Sequence, residues 1–378
     1  MKPLRSLLFV PGHRGTWVEK AIASGVDGLL LDLEDSVPES HKTEARDVVA
    51  DSIRRVRNNG SDIPIYVRVN ALETGMTGDD IEKVAIPGLT GFALPKTYGA
   101  RDVMHADALV THYERRNGVE EGAIKFILNF ETAEAYADCD AMAVASPRVE
   151  ALFAGTARDA DVSRSLGFQF TPGGLETIYL RSRIILASRA AGLEFPLVGV
   201  WQDLEDHDGA RNFSEQNRQL GFRGQVLIHP SHVALANEVF SPTDFEVGFY
   251  RGMIEAFEKA EASGAAAVRY EGMHIDYAHI KTAREVWPTP ISSPGPAPPG
   301  RSDCNGWYSV VRRRRGPGLA AGCQPPGAKP AAGGHAQMGL REPGGPACQG
   351  RAGSRMVLAG RRGGSRHRVL GTVPRCPG

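Results

Sequence analysis

Short apolar runs recur along the first 230 residues, most of them rich in leucine or β-branched residues. They read SLLFVP (6–11), GLLLDLED (28–35), IYVRVN (65–70), GFALPK (91–96), IKFILNFE (124–131), ALFAG (151–155), PLVGVWQD (196–203) and QVLIHP (225–230). Near-continuous apolar runs of this length that end in polar residues predict strands buried on both faces. The segments between them have helical period. The clearest begins at Leu175 and places Leu175, Ile178, Tyr179, Ser182, Ile185, Leu186 and Arg189 on one face, the kind of stripe that packs on a core. Alternating β and α implies a parallel sheet, and eight such units within residues 1–240 predict a closed (β/α)₈ barrel, with an open doubly wound sheet as the alternative.

Residues 241–288 exceed what closing a barrel requires. A helical stretch over 243–264 precedes AAVRYEGMHIDYAHIKTAREVW, predicted to form a C-terminal lid or subunit-contact module. Beyond residue 288 the pattern stops, and Gly, Pro, Ala and Arg take over.

Charge sharpens that boundary. The chain of 378 residues is formally neutral, yet 289–378 hold 14 Lys and Arg against Asp303 and Glu342, so a tail of +12 is joined to a body of −12. A basic arm of this kind can bind nucleic acid. Its composition instead predicts a disordered appendage, of the kind produced by an alternative reading frame of a GC-rich coding sequence. Cys304, Cys323, Cys348 and Cys376 fall in the tail at irregular spacings, which suits neither a metal cage nor a disulfide framework. Cys139 alone belongs to the body, which fits a reducing cytoplasm. The apolar run of the N-terminus is too short for a signal peptide, and no stretch has the length of a membrane span.

In a parallel barrel the C-terminal strand ends share one face, so distant polar residues converge there. Those ends supply Asp32, Glu34, Asp35, Arg68, Asn70, Lys96, Glu131, Asp159, Asp161, Asp203 and His229. Carboxylates with one or two cations suit a hard divalent ion and an anionic substrate; the bland alternative is a solvated rim.

LFVPG followed by Lys20, LLLDLEDSV, VRVN, LPK, NFET, DVSRSLG, LIHPSH and GMHIDYAHIKTA stand in this order between residue 4 and about 287. Each is weak alone. Together they resemble the citrate lyase beta subunit and malyl-CoA lyase family of the HpcH/HpaI aldolase superfamily. The resemblance implies a lyase dependent on Mg²⁺, with Mn²⁺ as a substitute, that cleaves or forms a carbon–carbon bond between a 2-oxo acid and an acyl-CoA of malyl, citramalyl or citryl type.

Residue by residue, it implies Glu131 and Asp161 as metal ligands, with Glu131 also beside the substrate. Asp159 is a rival for Asp161, because GTARDADVSRSLG is longer than the family's usual version. Arg68 corresponds to the arginine that grips the substrate carboxylate, bidentately as a guanidinium can; a structural pairing with Glu34 or Asp35 is the alternative. Glu34 and Asp35 support it or metal-bound water from behind. Phe9, Lys20, Ile228 and His229 fall at coenzyme A positions. Asp276 matches a catalytic aspartate carried on a lid that closes over a neighbouring subunit, while the plain reading makes it the N-cap of a helix from Tyr277. The implied assembly is a cytoplasmic homo-oligomer, trimer or hexamer, with small-molecule partners and neither nucleic acid nor membrane. A thioesterase on the same site and a CoA-independent class II 2-oxo-acid aldolase are the competing activities.

Overall fold

The computed structural model describes residues 3–286. Eight parallel strands form one closed barrel in sequence order: β1 (Ser6–Pro11), β2 (Gly28–Asp32), β3 (Ile65–Arg68), β4 (Gly91–Leu94), β5 (Lys125–Phe130), β6 (Val149–Gly155), β7 (Leu197–Gly199) and β8 (Gly224–Leu227). β1 pairs with β2 on one side and β8 on the other, so the sheet has no edge. All eight expected runs carry a strand, and most strands stop before the polar residues that end each run. Glu34, Asp35, Lys96 and Glu131 therefore stand on loops at the C-terminal mouth.

The helices that cover the barrel are α1 (Trp17–Ala23), α2 (Lys42–Asn58), α3 (Thr77–Val84), α4 (Ala100–Asn117), α5 (Ala133–Ala137), α6 (Cys139–Ala143), α7 (Asp161–Leu166), α8 (Ile178–Ala190), α9 (His207–Leu220) and α10 (Val233–Val239). Alternation along each strand divides the core in two. On β5, Phe126, Leu128 and Phe130 pack outward against the helices, while Ile127 joins Leu7, Leu30, Tyr66 and Phe153 inside the barrel. Asn129 and Glu131 follow Ile127 on the inward face. The first and last units are tied together: Ser6 Oγ donates to Asn237 Oδ1 at 2.7 Å, and Arg5 Nη1 donates to Ser241 Oγ at 2.8 Å.

Past the barrel, α11 (Asp244–Ala262), an antiparallel hairpin of β9 (Ala267–Tyr270) and β10 (Met273–Asp276), and α12 (Tyr277–Val286) follow. α11 begins with a capping box between Thr243 and Glu246. These elements bury Met253, Ile254, Phe257, Ile275, Ile280 and Ala283 in a cluster that shares no residue with the barrel's two. An ion pair of 2.8 Å between Arg218 and Glu246 links α9 to α11. Among the described residues, no helix is long and apolar enough to cross a membrane. The expected disordered tail, 289–378, lies outside the described residues.

One expectation is overturned. Most of the stripe starting at Leu175 does not face the core: Leu175 is 77%, Tyr179 70%, Leu186 60% and Ile178 38% exposed, while Ile185 alone of its large apolar members packs against it. α8 buries its other side, through Leu180, Arg181, Ile184, Ala187 and Ser188. Two of those five residues are polar, and Ala187 is small. Arg181 donates from its Nη atoms to Gln216 Oε1, Asn217 Oδ1 and the Gly174 carbonyl, while its Nε is buried without a partner. The helix thus buries Arg181 and Ser188 beside Leu180 and Ile184 and leaves Ile178, Tyr179 and Leu186 exposed.

Candidate active site at the barrel mouth

β2 and β3 run in register, with Asp32 opposite Arg68. Both side chains point inward, and Arg68 donates from Nε to Asp32 Oδ1 at 2.7 Å and from Nη2 to Oδ2 at 2.8 Å. Asp32 is fully buried and also accepts the backbone N–H groups of Glu34 and Ser36. Burial alone would raise its pKa, but the charge and hydrogen bonds of Arg68 outweigh it and hold the carboxyl below the usual range. The edge of the guanidinium expected to grip a substrate is thus turned onto Asp32. The Nη1 end lies 3.0 Å from Glu34 Oε2, and the Phe9 ring sits 4.8 Å from the guanidinium carbon.

Glu34 is buried, and burial pushes its pKa up to about 7 against the pull of Arg68 and Lys96. Lys96 bridges loops, donating from Nζ to Glu34 Oε1 at 2.7 Å and to Asp35 Oδ1 at 3.2 Å, and lying 3.7 Å from Asp161 Oδ2. Its backbone is left-handed, φ 46°, uncommon for a residue with a Cβ. Asp159, φ 53°, shares that conformation. Lys42 Nζ donates to the Leu33 and Glu34 carbonyls and to Asn70 Oδ1, which fixes the end of the β2 run from behind.

Glu131 follows the last residue of β5. Burial raises its pKa, and its Oε2 is enclosed without a hydrogen-bond partner. A buried carboxylate oxygen left unsatisfied is costly and implies a partner that protein atoms do not supply. Asp161 opens α7 and pairs with Arg164.

A cavity of about 720 Å³ at the mouth brings together Phe9, Lys20, Asp32, Asp35, Arg68, Glu131, Asp161, Ile228 and His229. Glu34 and Asp159 are not among its lining residues, and neither is Asp276. Asp276 caps α12 in its own module, accepting the Ala278 N–H at 3.0 Å and meeting His279 Nδ1 at 2.7 Å, a contact that lowers its pKa. The N-cap role anticipated for it is visible in the structure; a place in this chain's own cavity is not.

The donor set fits a hard cation. Glu131 offers a free oxygen and Asp161 faces the same space, while no group of three or more His, Cys, Asp or Glu side chains converges among the described residues. Two protein carboxylates would leave the remaining octahedral positions to water and ligand oxygens, as Mg²⁺ prefers.

The sequence places Asp32 and Lys96 among the converging mouth residues but gives neither a role of its own. Both occupy strand ends, but which of several mouth acids meets Arg68 is decided by the β2–β3 register. The left-handed backbone that brings Lys96 to Glu34 leaves no mark in LPK.

The sequence profile described as HpcH/HpaI aldolase/citrate lyase matches residues 5–230. An L-malyl-CoA/beta-methylmalyl-CoA lyase of Cereibacter sphaeroides is 35% identical over 313 residues, covering 75% of this chain and 94% of the relative. A (3S)-malyl-CoA thioesterase of the same species is 32% identical over 290 residues, covering 75% and 93%. The protein CitE of Mycobacterium tuberculosis, solved with magnesium, acetoacetate and coenzyme A, superposes with a TM-score of 0.60 at 25% identity, covering 75% of this chain and 97% of that one. With the closed barrel and its carboxylate-lined mouth, these matches establish that the chain belongs to the HpcH/HpaI aldolase/citrate lyase family.

Proposed function

We propose that this chain is a Mg²⁺-dependent carbon–carbon lyase that cleaves a CoA ester of malyl, citramalyl or citryl type into a 2-oxo acid and an acyl-CoA, or joins them in reverse. The observation that carries this reading is the enclosed, unpartnered Oε2 of Glu131 at a cavity shared with Asp161 and Arg68. The relatives named lyase and the neighbour bound to magnesium, acetoacetate and coenzyme A support it.

Glu131 and Asp161 would hold the cation, which supplies Lewis-acid polarisation of the oxygen at the oxo-acid end. The Nη1 end of Arg68 neutralises the substrate carboxylate, and Asp32 keeps the guanidinium aimed. Phe9, Lys20, Ile228 and His229 lie along the cavity where the coenzyme A part enters. Cleavage breaks the carbon–carbon bond as the hydroxyl gives its proton to solvent water and becomes the new carbonyl, which leaves the electron pair of the broken bond on the α-carbon of the acyl-CoA. Asp276, delivered by the 241–288 module of a neighbouring subunit, gives that carbon its proton, or removes it in the synthetic direction. The assembly is a cytoplasmic homo-oligomer, trimer or hexamer, acting on small molecules alone.

The relative named (3S)-malyl-CoA thioesterase favours a second reading, in which the same site hydrolyses the thioester. A panel of CoA esters assayed with Mg²⁺ separates the two, with 2-oxo acid and free thiol measured in each reaction. Oxo acid released without thiol is the expected result. Thiol without oxo acid makes the chain a thioesterase, and activity on free acids without CoA makes it a class II aldolase.

A further inference from the structure

A second cavity, of about 470 Å³, lies at the end of the barrel away from the mouth, where the last turns of α9 and α10 and the start of β8 meet α11. Three arginines and three glutamates line it, and their pairing is uneven. Arg211 takes Glu238 at 2.9 Å and Glu215 at 3.7 Å, and Arg218 takes Glu246 at 2.8 Å. Each glutamate therefore has its arginine. Arg223 is left over: its side chain is half-buried and makes no hydrogen bond or ion pair among the described residues.

The backbone holds Arg223 in place, since it directly precedes β8 and its N–H donates to the Pro196 carbonyl at 3.0 Å. Burial, and then the charges of Arg189 and Arg218, lower its pKa. A half-buried guanidinium among like charges is costly without an anion, and packing of its stem alone would be served by an uncharged side chain. The C-terminus of α9 offers partial negative charge, but no carbonyl there accepts a hydrogen bond from Arg223. The other lining residues narrow the missing partner. Phe222, Phe240, Val247 and Tyr250 supply apolar walls, and the volume is that of a small-molecule site. Three carboxylates around the space would repel a polyphosphate, whereas one carboxylate matches the fork of one guanidinium.

We propose that this cavity binds a small organic monocarboxylate, its carboxylate paired with Arg223 and its apolar body against Phe222, Phe240 and Tyr250. Arg218 and Arg223 belong to the barrel, while Val247 and Tyr250 belong to α11, so an occupant ties the C-terminal module to the barrel wall. The site shares no lining residue with the mouth and is independent of the reaction carried out there.

The test uses the full chain without added metal and benzoate as the probe, with benzamide as its uncharged counterpart and pyrophosphate as a polyanion. Benzoate should raise the thermal midpoint of the parent saturably, with a Kd of about 1 mM, and neither control should do so. Arg223→Met keeps the stem and should weaken benzoate binding at least about tenfold. Its unliganded midpoint should equal or exceed the parent's, because no ion pair is lost; a structural arginine would give a decrease. Arg68→Lys, at the mouth, should keep the parental response to benzoate. The proposal is overturned by the absence of a saturable shift, by an equal shift from benzamide or pyrophosphate, by a shift that survives in Arg223→Met, or by one that disappears in Arg68→Lys. Should Arg223→Met misfold, phenylglyoxal labelling of the parent replaces it. Protection of the peptide bearing Arg223 by benzoate supports the site, and equal labelling with and without benzoate overturns it.

Discussion

Two buried ion clusters of the barrel are built from the same residue types and are finished differently. On the outer wall, Arg148 bonds Asp107, Glu114, Thr111 and the Ile124 carbonyl, while Glu114 also accepts the N–H groups of Gly122 and Ile124. Burial alone would raise the Glu114 pKa, but those donors outweigh it and hold the carboxyl below its usual range. At the mouth, Arg68, Lys96, Asp32, Glu34 and Glu131 form an equally buried network. There, Oε2 of Glu131 lacks a partner, Oε2 of Glu34 has only the ion pair with Arg68 Nη1, and both carboxyls are raised. The wall cluster closes its valences within the protein, whereas the mouth cluster leaves an oxygen of Glu131 open.

The comparison breaks most visibly at Glu131. Glu131→Gln and Asp161→Asn should each lower kcat at least about 10³-fold, or about 4 kcal/mol, as should excess chelator. The thermal midpoint of Glu131→Gln should equal or exceed the parent's, because an unsatisfied buried charge is removed. An unchanged kcat would return Glu131 to the structural class.

Arg148→Met should do the reverse. It strands Glu114 and should cost about 3–5 kcal/mol in urea unfolding, with kcat per folded molecule unchanged. Arg68→Lys should fall between the two, lowering kcat about 10²-fold, since an ammonium cannot meet both Asp32 oxygens and a substrate together.

Acid sharpens the contrast further. The depressed Glu114 pKa contributes stability that is complete above its unfolded value of about 4.5 and is lost as pH falls through the lower folded value. Urea midpoints of the parent should therefore decline below about pH 4.5, and the decline should be shallower in Arg148→Met. The smallest effect is expected from deleting residues 289–378: thermal midpoint and turnover should stay within error, and loss of either would give the tail a role.

Positions of all eight strands were legible because apolar runs buried on both faces leave a strong signal, and polar residues punctuate their mouth ends. The mouth acids were legible as a set for the same reason. Their pairing was not, since Asp32 meets Arg68 through register across 36 residues. Helix α8 was misread because periodicity reports that a face is apolar, not what covers it. A stripe packed on a core and a stripe left exposed have the same pattern, and the buried Arg181 on the opposite side looks polar until Gln216 and Asn217 are seen to meet it.

The seam between β1 and β8 has a consequence for biosynthesis. Ser6 waits for Asn237, 231 residues later, and the strand of Ser6 remains without its second neighbour until Gln225 and Val226 have been made. Throughout that interval the nascent chain exposes an apolar parallel edge, the slowest kind of pairing to complete and the readiest to join another chain. Recovery from denaturant should therefore fall as protein concentration rises, because an unclosed β1 is captured by a stranger before it meets its own β8.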